Sequence, residues 1–361
     1  MSGKPDTLRP MTNDRHYVGL IAGTQGVIGR NVYAYLQSRA NWHVRGVARR
    51  QPILDGDELM ADLLDADAAR RGLAVAADTT HLIFAAYQEH ADPATSIAVN
   101  VALLRNTLDA LETAGAPLAH VTLYQGGKAY GAHLGPYKTP AKESDPRLLG
   151  PNFYYDQEDL LRARAADAAW HFTILRPDAL LGIAVGNPMN VLTALAVYAT
   201  IARELRLPLR FPGTRASAAA LTQATDAQLL ARATEWAGTS PAADDQTFNV
   251  TNGDLYRWEQ IFPLVAEVFE MPYAGIQPMS LSEHMADKEP VWNALTERHG
   301  LRPIAYRDVA RWPFADGQFN TTYDLVQSTV KIRQAGFADC VDSETCYREL
   351  FAQLRRERYI P

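Results

Sequence analysis

The stretch Tyr17–Arg39, YVGLIAGTQGVIGRNVYAYLQSR, decides the fold. Its first part, YVGLIAG, is a short apolar run closed by glycine, the pattern of a strand buried on both faces. Its second part carries Val27, Ile28, Val32, Tyr35 and Leu36 at helical spacing. Between them Gly23, Gly26 and Gly29 stand in GxxGxxG spacing. A residue without Cβ lets the backbone turn tightly and approach a pyrophosphate. The helix that follows offers unpaired N–H groups and the positive end of its dipole. Strand, glycines and helix in that order predict a dinucleotide-binding turn.

Working outward, WHVRGVA, ELMADLL, HLIFAAY, AHVTLYQG and HFTILRP read as further strands. They alternate with helical patterns such as SIAVNVALLRNTLDALETAG and NFYYDQEDLLRARAADAAW. Such alternation predicts an α/β fold, a Rossmann-type doubly wound parallel sheet with helices on both faces. After Gly182 the pattern becomes mainly helical, interrupted by LPLRFPG and TFNVTNG. The expected organisation is a disordered arm over 1–15, an NADPH-binding Rossmann domain over 16–185, and a mainly helical substrate-binding part over 186–361. The last part could exchange strands with the Rossmann domain.

Composition narrows the function. The 361 residues carry a formal charge of −6 with no basic run interleaved by aromatics, which argues against a nucleic-acid partner. The longest apolar stretch, Val191 to Ala202, lies between Pro188 and Arg203 and falls short of the ~20 residues that span a bilayer. The N-terminus is polar and lacks a signal-peptide core. No membrane association and a cytoplasmic location are therefore expected. Two cysteines, Cys340 and Cys346, and nine histidines without an HExxH pair point to neither a disulfide scaffold nor a metal site.

The second strand ends GVARR, with Arg49 and Arg50 where an NAD enzyme would carry an acid for the ribose 2′-OH. A guanidinium forks onto a 2′-phosphate and stacks on adenine, so NADPH/NADP+ is the expected cofactor. Asp62 sits where such folds hydrogen-bond the adenine amino group. The catalytic helix departs from the usual pattern. Short-chain dehydrogenases carry Tyr-x-x-x-Lys, but here the residue four after Tyr154 is Glu158 and four after Tyr155 is Asp159. A substitute is Lys128, in YQGGKAYG just past the fifth strand, at the carboxyl edge where ligands bind. The acids Asp156, Glu158 and Asp159 read as complements to the helix dipole.

NFYYDQEDLL, GTQGVIG, GVARR, GGKAYG, LLRNTLDAL, VYATIARE, LRFPG, FNVTNGDLYRWEQIF and RWPFAD together resemble the progesterone 5β-reductase/iridoid synthase group of extended short-chain dehydrogenases/reductases. The resemblance runs from about Tyr17 to the C-terminus. It implies NADPH-dependent reduction of a C=C bond conjugated to a carbonyl, on a small enone or enal, with Tyr155 and Lys128 catalytic. It further implies Gln25, Gly26 and Val27 at the pyrophosphate, Arg49 and Arg50 at the 2′-phosphate, and Asp62 and Leu63 at the adenine. Ala86, Tyr124, Leu180 and Met189 would line the cofactor groove, and Tyr137 and Phe314 the substrate wall. A homodimer stays open. Tyr124 stands where plant members have Gln, and the segment from Lys128 to Tyr155 is shorter than theirs. Two rivals remain: a carbonyl reductase or sugar-nucleotide epimerase/dehydratase, and a NADPH-sensing regulator without turnover.

Overall fold

The computed structural model describes residues 16–49, 56–184 and 190–361. Its strands are β1 (Tyr17–Ala22), β2 (Trp42–Ala48), β3 (Glu58–Met60), β4 (His81–Phe84), β5 (His120–Tyr124), β6 (His171–Pro177), β7 (Leu180–Leu181), β8 (Leu209–Phe211), β9 (Thr225–Asp226), β10 (Gln246–Val250) and β11 (Tyr273–Ile276). Seven of them form one sheet in the order β10-β6-β5-β4-β1-β2-β3. Every pairing in it is parallel. This is the doubly wound arrangement the sequence predicts. Strand order reverses between β1 and β4, and ligands of such sheets bind outside the carboxyl ends at that reversal.

The helices α1 (Val27–Gln37), α2 (Ala66–Leu73), α3 (Pro93–Thr113) and α4 (Phe153–Ala166) cross between strands. Two start signals explain where they begin. Asp92 accepts from Thr95 N at 2.8 Å with Pro93 in the first turn of α3, so that helix starts before the apolar repeat does. Asn152 accepts from Tyr154 N at 3.1 Å and starts α4.

Apolar residues gather in three clusters. One face of the sheet packs on α2, α3 and α4 through Leu82, Phe84, Leu104, Leu108 and Leu161. The other face packs on α1 and on a later helix, Ala227–Thr239, through Ile21, Val32, Leu36, Leu229 and Leu230. That second contact reaches across the expected boundary at 185. After leaving the sheet, the chain comes back: Ala227–Thr239 lies beside α1, and β10 completes the sheet on the β6 edge. Phe248 and Val250 are buried in the cluster on the face that this helix covers.

The third cluster lies in the C-terminal part around α5 (Val191–Glu204), in which every residue from Val191 to Ala202 is buried. A helix apolar on all sides is a core helix. It shares this cluster with Phe211, Phe262, Phe319 and Tyr347, and Leu195 is fully buried, so Leu195→Ala would cost about 2–5 kcal/mol. Among the described residues no helix is long and apolar enough to cross a membrane.

Candidate active site

The glycine turn after β1 is built for close approach. Gly23 has φ +90°, and a Cβ there would stand 2.7 Å from the Ala85 carbonyl at the end of β4. A Cβ on Gly29 would lie 2.3 Å from the Gly23 carbonyl oxygen. Gly29 thus lets α1 pack onto the turn, while Gly26 caps α1 without a side chain to occupy its first N–H groups. Thr24, fully buried, donates its hydroxyl to the Glu58 carboxylate and so ties β3 to the turn.

A cavity of about 440 Å³ opens over this turn at the carboxyl ends of the strands. Gly23, Gln25, Gly26 and Val27 form its floor. Towards β2 and β3 it is walled by Arg49, Asp62 and Leu63. Towards β5 and α4 it is walled by Ala86, Tyr124, Lys128 and Tyr154. Most of the residues expected at the cofactor therefore meet in one groove. Arg50 and Met189 lie outside the described residues.

Some expected contacts fall elsewhere. Leu180 is not on the cavity wall; it pairs with Thr225 in a two-residue ladder behind it. Tyr137 is also off the wall, its hydroxyl accepting from Val326 N at 3.1 Å. Phe314 packs half-buried against the C-terminal core. Tyr124 reaches the cavity, but its hydroxyl points away to Thr234 Oγ1 at 2.6 Å. It therefore offers the groove its ring and backbone.

The NFYY string sends its two phenols in different directions. Tyr155 is buried, donates to the Ala129 carbonyl at 2.8 Å and accepts from Leu148 N at 3.1 Å. Its oxygen is spoken for and it does not line the cavity, so it does not meet the expectation of a catalytic phenol. Tyr154 does line the cavity, and its hydroxyl has no hydrogen-bond partner among the described residues. Burial raises the Tyr154 pKa, the nearby Tyr87 adds to the rise, and the Arg176 guanidinium opposes it. The group is a neutral O–H donor at physiological pH. Phe153 stacks on Tyr87 with centroids 5.3 Å apart, extending the aromatic wall.

Behind this wall runs a buried polar network that the sequence reading missed. Arg176, at the end of β6, donates to Gln125 Oε1 at 2.7 Å and to the Tyr130 hydroxyl at 3.0 Å, and pairs with Glu158 at 3.3 Å. Gln125 in turn donates to the Tyr154 carbonyl at 2.9 Å. Tyr130 donates to Asn249 Oδ1 on β10 at 2.6 Å. Glu158 is thus the buried partner of an arginine and not a surface complement to the helix dipole. Only the exposed Asp156 fits that simpler role, since Asp159 pairs with Arg147 at 2.7 Å.

Comparison with known proteins agrees with this architecture. The model of a PRISE-like Rossmann-fold domain matches residues 41–348. An (S)-8-oxocitronellyl enol synthase of Camptotheca acuminata is 31% identical over 368 residues, covering 96% of this chain and 94% of the relative. A 3-oxo-Delta(4,5)-steroid 5-beta-reductase of Arabidopsis thaliana is 29% identical over 367 residues, covering 95% and 93%. Among solved structures, a UDP-glucose 4-epimerase of Thermotoga maritima superposes with TM-score 0.69 at 15% identity, covering 94% of this chain and 99% of that one. An NADPH-complexed enzyme of Pseudomonas aeruginosa, RMD, gives 0.67 at 14%, covering 94% and 98%. At such identities the structures speak for the fold alone. The chain belongs to the PRISE-like Rossmann-fold family.

Proposed function

We propose that this chain is an NADPH-dependent oxidoreductase that reduces the C=C bond of small α,β-unsaturated carbonyl compounds, with Tyr154 and Lys128 as its catalytic residues. The observation that carries the reading is that a phenol and an ammonium, each without a partner among the described residues, line the same glycine-turn cavity. Tyr154 and Lys128 both line it, and neither side chain makes a hydrogen bond or salt bridge to any described residue. The curated relatives named as an enol synthase and a steroid 5-beta-reductase support the same chemistry.

The residues fit a nicotinamide dinucleotide. The turn is a cradle that a Cβ on Gly23 would fill. Gln25, Gly26 and Val27 would hold the pyrophosphate, and Asp62 and Leu63 the adenine. Arg49, exposed at the cavity rim, would take the 2′-phosphate. When bound, the reduced nicotinamide supplies a hydride. The chain's own part is to bind, orient and stabilise charge. Tyr154 donates its O–H to the substrate carbonyl oxygen, on which negative charge grows as the β-carbon is reduced. A donor aimed at developing charge in a site shielded from water is worth about 2.7–4 kcal/mol. Its raised pKa keeps the proton on the phenol, so Tyr154 acts as a hydrogen-bond donor, and the α-carbon takes its proton from solvent. Lys128 would bind the nicotinamide ribose and add positive charge beside the carbonyl.

The test follows NADPH absorbance with 2-cyclohexen-1-one. Tyr154→Phe should lower kcat by about 10²–10³ with NADPH affinity kept. Unchanged turnover would remove Tyr154 from the mechanism. An alcohol product would favour a carbonyl reductase, and tight NADPH binding without turnover a sensor.

A further inference from the structure

We infer that Asn152 and Tyr155 are positioning residues which together staple the loop carrying Lys128 to the helix carrying Tyr154. The inference rests on the proposed pairing of Lys128 with Tyr154 and adds what holds the pair in place.

Lys128 sits in a single helical turn, Gly127–Tyr130, between β5 and a long connecting segment. Its ammonium has no hydrogen bond or salt bridge among the described residues, and its stem has four rotatable carbons. Where such a side chain can reach is therefore set by where its backbone is held. Two consecutive carbonyls of that turn face α4. The Asn152 carboxamide donates to the Lys128 carbonyl at 2.9 Å. The Tyr155 hydroxyl donates to the Ala129 carbonyl at 2.8 Å. Both donors come from the one NFYY string, on either side of Tyr154.

Each donor is itself locked. The Asn152 Oδ1 is occupied as the cap of α4, accepting from Tyr154 N at 3.1 Å, so the same amide fixes the start of the Tyr154 helix and the Lys128 loop. The Tyr155 oxygen also accepts from Leu148 N at 3.1 Å, and Arg147 lies 5.0 Å over its ring while pairing with Asp159. Leu148 then packs on Gly131, where a Cβ would come within 2.3 Å of Leu148 Cδ1. Tyr155 thus joins three segments: the Lys128 turn, α4, and the end of the 131–150 connection. The two tyrosines of the string divide the labour, Tyr154 facing the cavity and Tyr155 holding the opposite residue's loop.

The experiment is a double-mutant cycle on the full chain. Tyr155→Phe keeps the ring and removes both hydrogen bonds. Asn152→Asp keeps the acceptor that caps α4 and removes the donor to Lys128. Each is made in the parent and in Lys128→Ala, with kcat on 2-cyclohexen-1-one and the Kd of NADPH as readouts. In the parent each should lower kcat by about tenfold, and in Lys128→Ala by less than about twofold, because residues acting through one another are not additive. Equal fold-losses in both backgrounds would overturn the staple and leave the proposed function standing. Parent-like turnover of Lys128→Ala would instead overturn the catalytic pairing. Hydrogen exchange then decides the staple by itself. Tyr155→Phe should speed exchange of the Gly131 and Ala132 amides, whose acceptors are Lys128 and Gly127 within this turn, and unchanged protection would refute it.

Discussion

Arg176 Nη2 lies 3.3 Å from Glu158 Oε2, with both side chains more than nine-tenths buried, so the C-terminal end of β6 is ion-paired to the second turn of α4. Arg162 and Arg147, both more exposed, add to the carboxylate at 2.8 Å and 3.6 Å. Among the described residues Arg176 pairs with no second acid; its other acceptors are the neutral Gln125 and Tyr130.

Glu158→Leu should therefore be the costlier half of the pair. It strands a guanidinium in the interior, for which a loss of about 3–5 kcal/mol is expected. Urea unfolding would measure it. A loss below about 1 kcal/mol would mean that water reaches Arg176 and the network is not closed.

Gly29→Ala tests the turn. Its Cβ would stand 2.3 Å from the Gly23 carbonyl oxygen, a backbone atom that cannot step aside. The variant should fold with α1 displaced and bind NADPH at least about tenfold more weakly, by fluorescence titration. Parent-like affinity would show that the pyrophosphate does not rest on this turn.

Arg49→Ala bears on cofactor choice. A charge-assisted bond to phosphate is worth about 1.5–3 kcal/mol. The variant should lose about tenfold or more in NADPH affinity and little in NADH affinity. Equal losses for both would place Arg49 on the adenine and not on the 2′-phosphate.

Asp178 offers a test by pH. It follows β6, its Oδ2 is sealed from solvent, and burial raises its pKa above the ordinary carboxylate value, opposed by the Ala179 N–H and the Gln327 side chain. A folded-state pKa raised in this way means the native state holds the proton more tightly than the unfolded chain. Stability from this group is then full below the unfolded value near pH 3.9 and is lost as pH rises through the higher folded value. Asp178→Asn keeps the Oδ1 acceptor for Ala179 N and cannot ionise. Its unfolding midpoint should match the parent's near pH 3 and exceed it by several degrees at pH 8. A gap that did not widen with pH would mean that Asp178 ionises freely in the native state.

The fold was legible because its signals are local. The run YVGLIAG, the three glycines and the helical spacing after them all lie within Tyr17–Arg39, and the structure realises each in place. The strand TFNVTNG was also readable as a strand. Its seat at the β6 edge, some seventy residues from its partner, was not, since pairing across that distance leaves no trace in spacing. Glu158 was misread for a similar reason. A carboxylate in the first turns of a helix looks the same in sequence whether it meets water or Arg176.

The cofactor groove draws on residues at or just past strand ends, so knowing the strands brings Gln25, Arg49, Asp62, Ala86, Tyr124 and Lys128 to one groove. Leu180, Tyr137 and Phe314 depend on how the C-terminal part docks, and they fell elsewhere. The choice between Tyr154 and Tyr155 was of the same kind. Neighbours on a helix point about 100° apart, and nothing in NFYY says which way the helix is rolled. That roll is set by contacts far off in the chain: Gln125 on the Tyr154 carbonyl, Arg176 on Glu158, and Ala129 on the Tyr155 hydroxyl. Sequence alone thus determined the elements, the glycine turn and the rim, because backbone propensity and periodicity act within a few residues. Tertiary structure decided which phenol faces the cleft, because burial and hydrogen bonding compare every side chain with partners that only the folded chain brings near.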